Sequence, residues 1–171
     1  MNGAGHNGQN EPAVIALLQE LRNARRELLM ALDGLSPTDV WTEDGWSIHD
    51  LLGHLASWDR DVLAALQERQ IGRSSYELPG YQNDDQWNER IRARKAGLAP
   101  EQVRMDFLMA RRELEDVLRE AYISEEDLAA PIAVSWSRTT TVAQLVRGSC
   151  IEHEREHAAG LWAWRASRSP R

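Results

Sequence analysis

The sequence predicts an all-α fold, a four-helix bundle, on three observations. Four segments repeat apolar residues every three or four positions. No segment alternates like a strand over a useful length; "IAVSWSRTTT" is the nearest candidate, and it is short. The connection between the second and third segments, residues 71–99, is long enough for a crossover rather than a hairpin.

The first segment runs from about Pro12 to Asp33, with Val14, Leu17, Leu18, Leu21, Leu28, Leu29 and Leu32 as its stripe. Pro12 near the start and Gly34 just past the end suit helix termini. The second opens on Ser47 with Asp50 three residues on, a capping pattern, and carries Ile48, Leu51, Leu52, Leu55, Trp58, Val62 and Leu66 to about Gln70. His54 lies within that stripe. The third begins near Pro100 and runs to about Tyr122 through Val103, Phe107, Leu114, Val117 and Leu118. The fourth follows Thr141, with Gln144 completing a second capping pattern. Its periodicity puts Val142, Leu145, Val146, Ser149, His153, His157, Gly160, Leu161 and Trp164 on one inward line. "SPTDV" and "SEEDL" read as short helical turns in the other two connections, and "DDQWNERIRARKAGL" as an extra helix inside 71–99. Residues 1–11 and 167–171 read as disordered tails around a single domain, 12–166.

The formal net charge of -7 argues against a general nucleic-acid binder, which needs a basic face to displace phosphate counterions. No apolar run approaches the roughly 18 to 20 residues of a membrane span, so no membrane partner is expected. One cysteine, Cys150, excludes an intramolecular disulfide framework and suits a reducing compartment, the cytoplasm. A small bundle can also pair as a homodimer. The seven tryptophans are scattered along the chain, so no aromatic platform can be drawn from sequence.

His153-Glu154-Arg155-Glu156-His157 fits H-E-x-x-H, the zinc-peptidase pattern, in which two imidazoles one turn apart ligate a metal and the glutamate is general base. The extended form continues through Gly160 and then fails, because Ala163 stands where the third histidine belongs. No Glu, Asp or His follows His157, so a third ligand must come from upstream. His54 is the best candidate, with His49 or a carboxylate as substitutes. A set of His54, His153 and His157 suits Zn²⁺ or Ni²⁺ and leaves a position open. The plainer alternative is a group of hydrogen-bonded core histidines. Glu154 is a candidate general base, or a partner that orients an imidazole. Glu152 and Glu156 read as a solvated face, and Cys150 as a small apolar filler. Trp58, Trp162 and Trp164 stand near the histidines in sequence. Tyr81, Asp84, Asp85, Trp87 and Asn88 crowd the long connection and could line a bundle mouth.

"GWSIHDLLGHLASWDRDVL" together with "IEHEREHAAGLWAW" resembles the DinB-like four-helix-bundle superfamily, over about residues 12–166. The resemblance implies an up-down-down-up bundle with a long crossover between helices 2 and 3. It also implies that His54 meets the His153/His157 pair around a divalent metal. The W-S-x-x-D-L-L-x-H-x-x-x-W run (Trp46 to Trp58) and "QWNERIRARKAGLAPEQV" are similar to the branch that includes the ClbS/DfsB proteins, one of which opens an electrophilic cyclopropane in a genotoxin. Another branch uses a metal to activate a low-molecular-weight thiol such as mycothiol or bacillithiol.

Two functional readings compete. In the first, the chain is a bacterial metal-dependent enzyme that performs hydrolysis or thiol transfer on a small electrophile, with the metal as Lewis acid. In the second, it is a metal-independent resistance or sequestration protein of the ClbS/DfsB kind. A bundle with merely packed histidines is the third, inert alternative.

Overall fold

The computed structural model describes residues 13–168. The expected tail 1–11 lies outside them. Of the expected tail 167–171, residues 167 and 168 belong to the last helix and the rest lie outside the described residues.

Four long helical stretches form the bundle: α1 (Ala13–Leu32), α2 (Ile48–Gln70), α4 (Pro100–Ala121) and a final stretch made of α6 (Val142–Val146), a π-helical turn (Arg147–Glu152) and α7 (His153–Arg168). The shorter α3 (Asp84–Lys95) occupies the long connection, and α5 (Glu125–Ala129) precedes the last stretch. Ser47 caps α2 and Thr141 caps α6, each with the reciprocal side chain at the third position, as the sequence suggests.

Helix directions are set by the contacts. Arg25 Nη1 donates to the Phe107 carbonyl and Arg111 to that of Leu21, so α1 and α4 are antiparallel. Gly53 faces Val103, Asp59 meets Arg111 and Tyr122, just past α4, donates to the Leu66 carbonyl, so α2 and α4 run parallel. Glu20 pairs with Arg147 and Glu27 with Arg155, so α7 runs parallel to α1. The order is up-down-down-up, and the expected four-helix bundle is the observed architecture.

The core has two apolar halves. One is built on Leu17, Leu21, Leu66, Leu114, Leu118 and Ile151; the other on Leu28, Leu51, Leu55, Phe107 and Leu161. Each fully buried side chain of this size contributes roughly 1.5–3 kcal/mol. Between the halves lies a layer of four buried charges, one from each helical stretch: Arg25, Asp59, Arg111 and Glu154.

Three local expectations need correction. Ser36 to Val40 forms a hydrogen-bonded turn, not a helix, because Asp39 folds back to accept from the Ser36 backbone. A small sheet exists: β1 (Ser75–Tyr76) pairs parallel to β2 (Pro131–Val134), and β2 pairs antiparallel to β3 (Thr140–Thr141). Its strands are too short for alternation to show in sequence, yet they stitch the α2–α3 connection to the segment before α6.

The third correction concerns the last helix. The buried line there is Val146, Cys150, Glu154, Ala158 and Leu161. The expected line through Ser149, His153, His157, Gly160 and Trp164 is half-buried, one residue out of phase. The π-helical turn holds an extra residue per turn and so rotates all of α7 about its axis. His153 and His157 thereby leave the core for a pocket wall, while Glu154 enters the core.

Candidate functional site

The pocket is assembled from three places. α2 supplies His54 and Trp58, the α7 stretch supplies His153 and His157, and loops supply the walls. The turn between α1 and α2 presents Trp41 and Trp46. The backbone N–H of Trp41 donates to the Trp46 carbonyl, and Gly45 adopts φ +79°, a conformation other residues rarely take, to close that turn. The sheet presents Trp136, whose indole N–H donates to the Ser149 hydroxyl in the π-helical turn. Gly160, the glycine of the extended motif, has a role here: a Cβ there would lie 3.0 Å from the Trp41 ring, so its absence lets the indole rest against α7. The pocket is open to solvent and has a volume of about 550 Å³, with His54, His153 and His157 among four tryptophans, Trp41, Trp46, Trp58 and Trp136.

The three imidazoles converge. His54 Nε2 is 2.8 Å and His157 Nε2 3.0 Å from His153 Nε2, and one nitrogen of each lies within 4.8 Å of the others. His153 Nδ1 donates to the Ser149 carbonyl at 3.3 Å, which leaves its Nε2 lone pair facing the other two rings. Indoles meet the rings edge-on: Trp46 against His54 at 5.5 Å, Trp41 against His157 at 5.8 Å and Trp58 against His153 at 6.1 Å.

Burial holds all three imidazoles neutral. His54 is pushed well below its ordinary value by burial, then by the neighbouring His153 and His157. Burial lowers His153 against the opposing Ser149 carbonyl and the Glu156 carboxylate. His157 is pushed down to about 3 by burial and by His153. Neutral imidazoles with convergent lone pairs are the protonation state a metal requires. A cation roughly 2.0–2.1 Å from each nitrogen, at angles between square and tetrahedral, would set the nitrogens about 2.9–3.4 Å apart. The His153–His157 separation of 3.0 Å falls in that range and the His54–His153 separation of 2.8 Å just below it, with all three nitrogens within 4.8 Å of one another, so it is the chemistry of the donor set, three neutral imidazoles, that suits a divalent ion.

Glu154 sits elsewhere. Its side chain is 1% exposed and its carboxylate lies 2.6 Å from Arg25 Nη2 and 3.1 Å from Arg111 Nη2. Arg111 also grips Asp59 with two bonds of 2.9 and 3.0 Å, and Arg25 reaches Asp59 at 2.9 Å. Burial raises the Glu154 carboxyl, and Arg111 and Arg25 oppose the rise. Glu154 does not line the pocket. The carboxylates that do are Glu156, Asp84 and Asp44. In sequence, Glu156 reads as part of a solvated face and Asp84 as loop chemistry, and Asp44 carries no signal at all.

Other candidates divide. Asn88 lines the pocket and accepts from the Trp58 indole at 3.2 Å. Tyr81, Asp85 and Trp87 do not line it, although Tyr81 donates to Asp84 at 2.6 Å. His49 donates to the Leu98 carbonyl at 3.1 Å, away from the cluster. Trp162 is exposed, and Trp164 does not line the pocket. Cys150 is buried, its thiol pushed up by burial and by the Asp59 charge.

The fold and the site define a helical bundle with an imidazole-floored, indole-walled pocket. The chain belongs to the DinB superfamily, whose sequence model matches residues 20–160. No curated protein matches the sequence. Among solved structures, the chain is similar to the colibactin self-resistance protein ClbS in complex with a dsDNA, at 13% identity, TM-score 0.74, and 91% and 97% coverage of this and that chain. It is also similar to YfiT from Bacillus subtilis, described as "a probable metal-dependent hydrolase with an unusual four-helix bundle topology", at 12% identity, TM-score 0.68, and 98% and 95% coverage. A third is the mycothiol-dependent maleylpyruvate isomerase, at 17% identity and TM-score 0.68, covering 86% of this chain and 60% of that one.

The ClbS complex overturns one expectation. The net acidic charge predicts no nucleic-acid partner, but a protein of this fold is seen with dsDNA. Overall charge is a sum over the surface and does not describe any single face, so the exclusion is withdrawn. Among the described residues, no helix is long and apolar enough to cross a membrane.

Proposed function

We propose that this protein is a metal-dependent enzyme that performs hydrolysis or thiol transfer on a small electrophilic molecule, with His54, His153 and His157 holding a divalent ion. The observation that carries this reading is the convergence of three neutral imidazole nitrogens inside a pocket of about 550 Å³. When bound, the ion supplies Lewis acidity at the pocket floor. The chain's own groups do the rest. The four indoles give the pocket apolar walls, which lower the local dielectric and strengthen electrostatic contacts against them. The Ser149 carbonyl fixes the His153 tautomer. Glu156 and Asp84 face the pocket and are placed to accept a proton from an incoming nucleophile, the role the sequence suggests for Glu154. Zn²⁺ and Ni²⁺ are the ions this donor set favours. The single cysteine supports a cytoplasmic setting.

A second reading keeps the pocket and drops the metal. It is favoured by the aromatic wall, which can sequester a reactive molecule without chemistry, and by the likeness to ClbS, a self-resistance protein.

Metal analysis by mass spectrometry decides between them, on untagged protein purified without added metal. The expected result is about one Zn or Ni per chain, lost in His54→Ala and His157→Ala. No uptake after adding Zn²⁺ or Ni²⁺ to folded protein would refute the enzyme reading in favour of the second.

A further inference from the structure

The chemistry proposed above works at the floor of the pocket and asks of its mouth only a proton acceptor. That mouth has a definite charge. Asp44, Asp84 and Glu156 line it, all three exposed, and no lysine or arginine does among the described residues. Asp84 is held in place by the Tyr81 hydroxyl. Below the carboxylates stand the indoles. Trp58 and Trp136 pack edge-on at 5.8 Å, and each is fixed by its own N–H bond, to Asn88 and Ser149. Their orientation therefore exists before any ligand arrives. Arg92 lies 5.5 Å from the Trp46 ring and donates to the Gly45 carbonyl, so one indole of the set already has a cation against it.

We infer that the ligand of this pocket is a small organic cation, a quaternary or aromatic ammonium, with its charged end among Trp41, Trp58 and Trp136 beneath Asp44, Asp84 and Glu156 and its reacting end toward the three histidines. Indole faces carry negative electrostatic potential and attract ammonium groups. Carboxylates around a mouth with low-dielectric walls concentrate that attraction. At the mouth an anionic ligand would meet three carboxylates and, among the described residues, no lysine or arginine, its one counter-charge being the ion proposed for the floor. Polyanionic thiols are therefore poor ligands for this mouth. The placement of the reacting end rests on the function proposed above; recognition of the charge does not, because it needs no metal.

The test uses the full chain stripped of metal with a chelator. Binding of benzyltrimethylammonium, its neutral analogue neopentylbenzene and the anion benzenesulfonate is monitored by tryptophan fluorescence and calorimetry. The cation is expected to bind about tenfold more tightly than the neutral analogue. In the Asp44→Asn/Asp84→Asn/Glu156→Gln variant, with surface substitutions that leave the helical signal intact, that preference should shrink several-fold. Trp136→Leu should weaken the cation more than the neutral probe, and equal weakening of both would count against recognition of the charge by the indoles. Equal binding of cation and neutral analogue, tighter binding of the anion, absence of cation binding, or a preference unchanged in the triple variant would each overturn the inference. The metal content of the same preparation before stripping reports separately on the floor of the site, so either can fail alone.

Discussion

Replacing Glu154 with glutamine separates two roles for this residue. In the structure it completes a layer of two guanidiniums and two carboxylates, with side chains only 1% to 10% exposed. Glu154→Gln leaves Arg25 and Arg111 sharing Asp59 alone, one buried positive charge in excess. Removing one partner of a buried pair costs about 3–5 kcal/mol. The lower end, roughly 3 kcal/mol, is expected, because glutamine keeps an accepting oxygen and Arg25 retains the Phe107 carbonyl at 3.0 Å and its ring at 3.7 Å. For a chain of this size that corresponds to a fall in Tm of roughly 6–12 °C. Thermal unfolding by circular dichroism at pH 7 measures it, with metal content determined on the same sample. A Tm matching wild type, with lost activity and retained metal, would refute the structural role and restore the general-base reading.

Three further outcomes concern buried groups. The metal-free protein should lose stability as pH falls. His54, His153 and His157 are neutral when folded and take protons near pH 6.5 when unfolded, so their contribution is complete above pH 6.5 and declines toward the folded value, about 3 for His157. At pH 5.5 the loss from His157 is about 1.4 kcal/mol, and His54 and His153 add to it in the same direction, read by urea denaturation; equal stability at pH 7.5 and 5.5 would contradict it. Asp61 behaves oppositely. Burial raises its carboxyl to about 6 against the opposing Trp87 indole bond, so its contribution is most favourable below pH 3.8 and is lost as pH rises through 6. Asp61→Asn should raise Tm at pH 7.5 and leave it nearly unchanged at pH 3.5, and the reverse order would sink this account. Cys150, buried and with a raised thiol, should resist iodoacetamide in the folded protein and react after denaturation; rapid native alkylation would show that the α7 stretch opens.

The parts of the site carried by long helices are legible in the sequence. His54 sits on the α2 stripe and the other two histidines are one turn apart, so spacing places each on a helix face, and the resemblance to the bundle family implies that the faces meet. The pocket walls are not legible. Trp41, Trp46 and Trp136 stand in turns, where no period ties a residue to a face, and the sheet that positions Trp136 has strands of two to four residues. The phase of the last helix is also hidden, because nothing in "RGSCIE" announces a π-helical turn. The charge layer does leave a trace. Arg25 stands between Leu21 and Leu28, Asp59 between Leu55 and Val62, Arg111 between Phe107 and Leu114, and Glu154 between Ile151 and Ala158. Each occupies an apolar stripe at core spacing, and the four signs cancel.

That cancellation bears on the site itself. Apolar contacts between helices tolerate sliding, whereas a salt-bridged layer with bonds near 3 Å does not. One residue of helical rise is about 1.5 Å, enough to destroy imidazole convergence. Glu154 is bonded to the layer while the adjacent His153 faces the pocket, so the layer ties the axial position of His153 and His157 to the other three helices. We predict that Arg25→Met, Asp59→Leu, Arg111→Met and Glu154→Leu made together give a chain about as stable as wild type, or up to about 4 kcal/mol more so, since apolar substitutes avoid the desolvation of four charges. Metal affinity in that variant should nevertheless fall at least tenfold, about 1.4 kcal/mol, as the register of α7 loosens. Competition titration with a chromophoric chelator measures the affinity, and urea denaturation the stability. Wild-type affinity in the apolar variant would mean that packing alone sets the register and that the charges are incidental to the site.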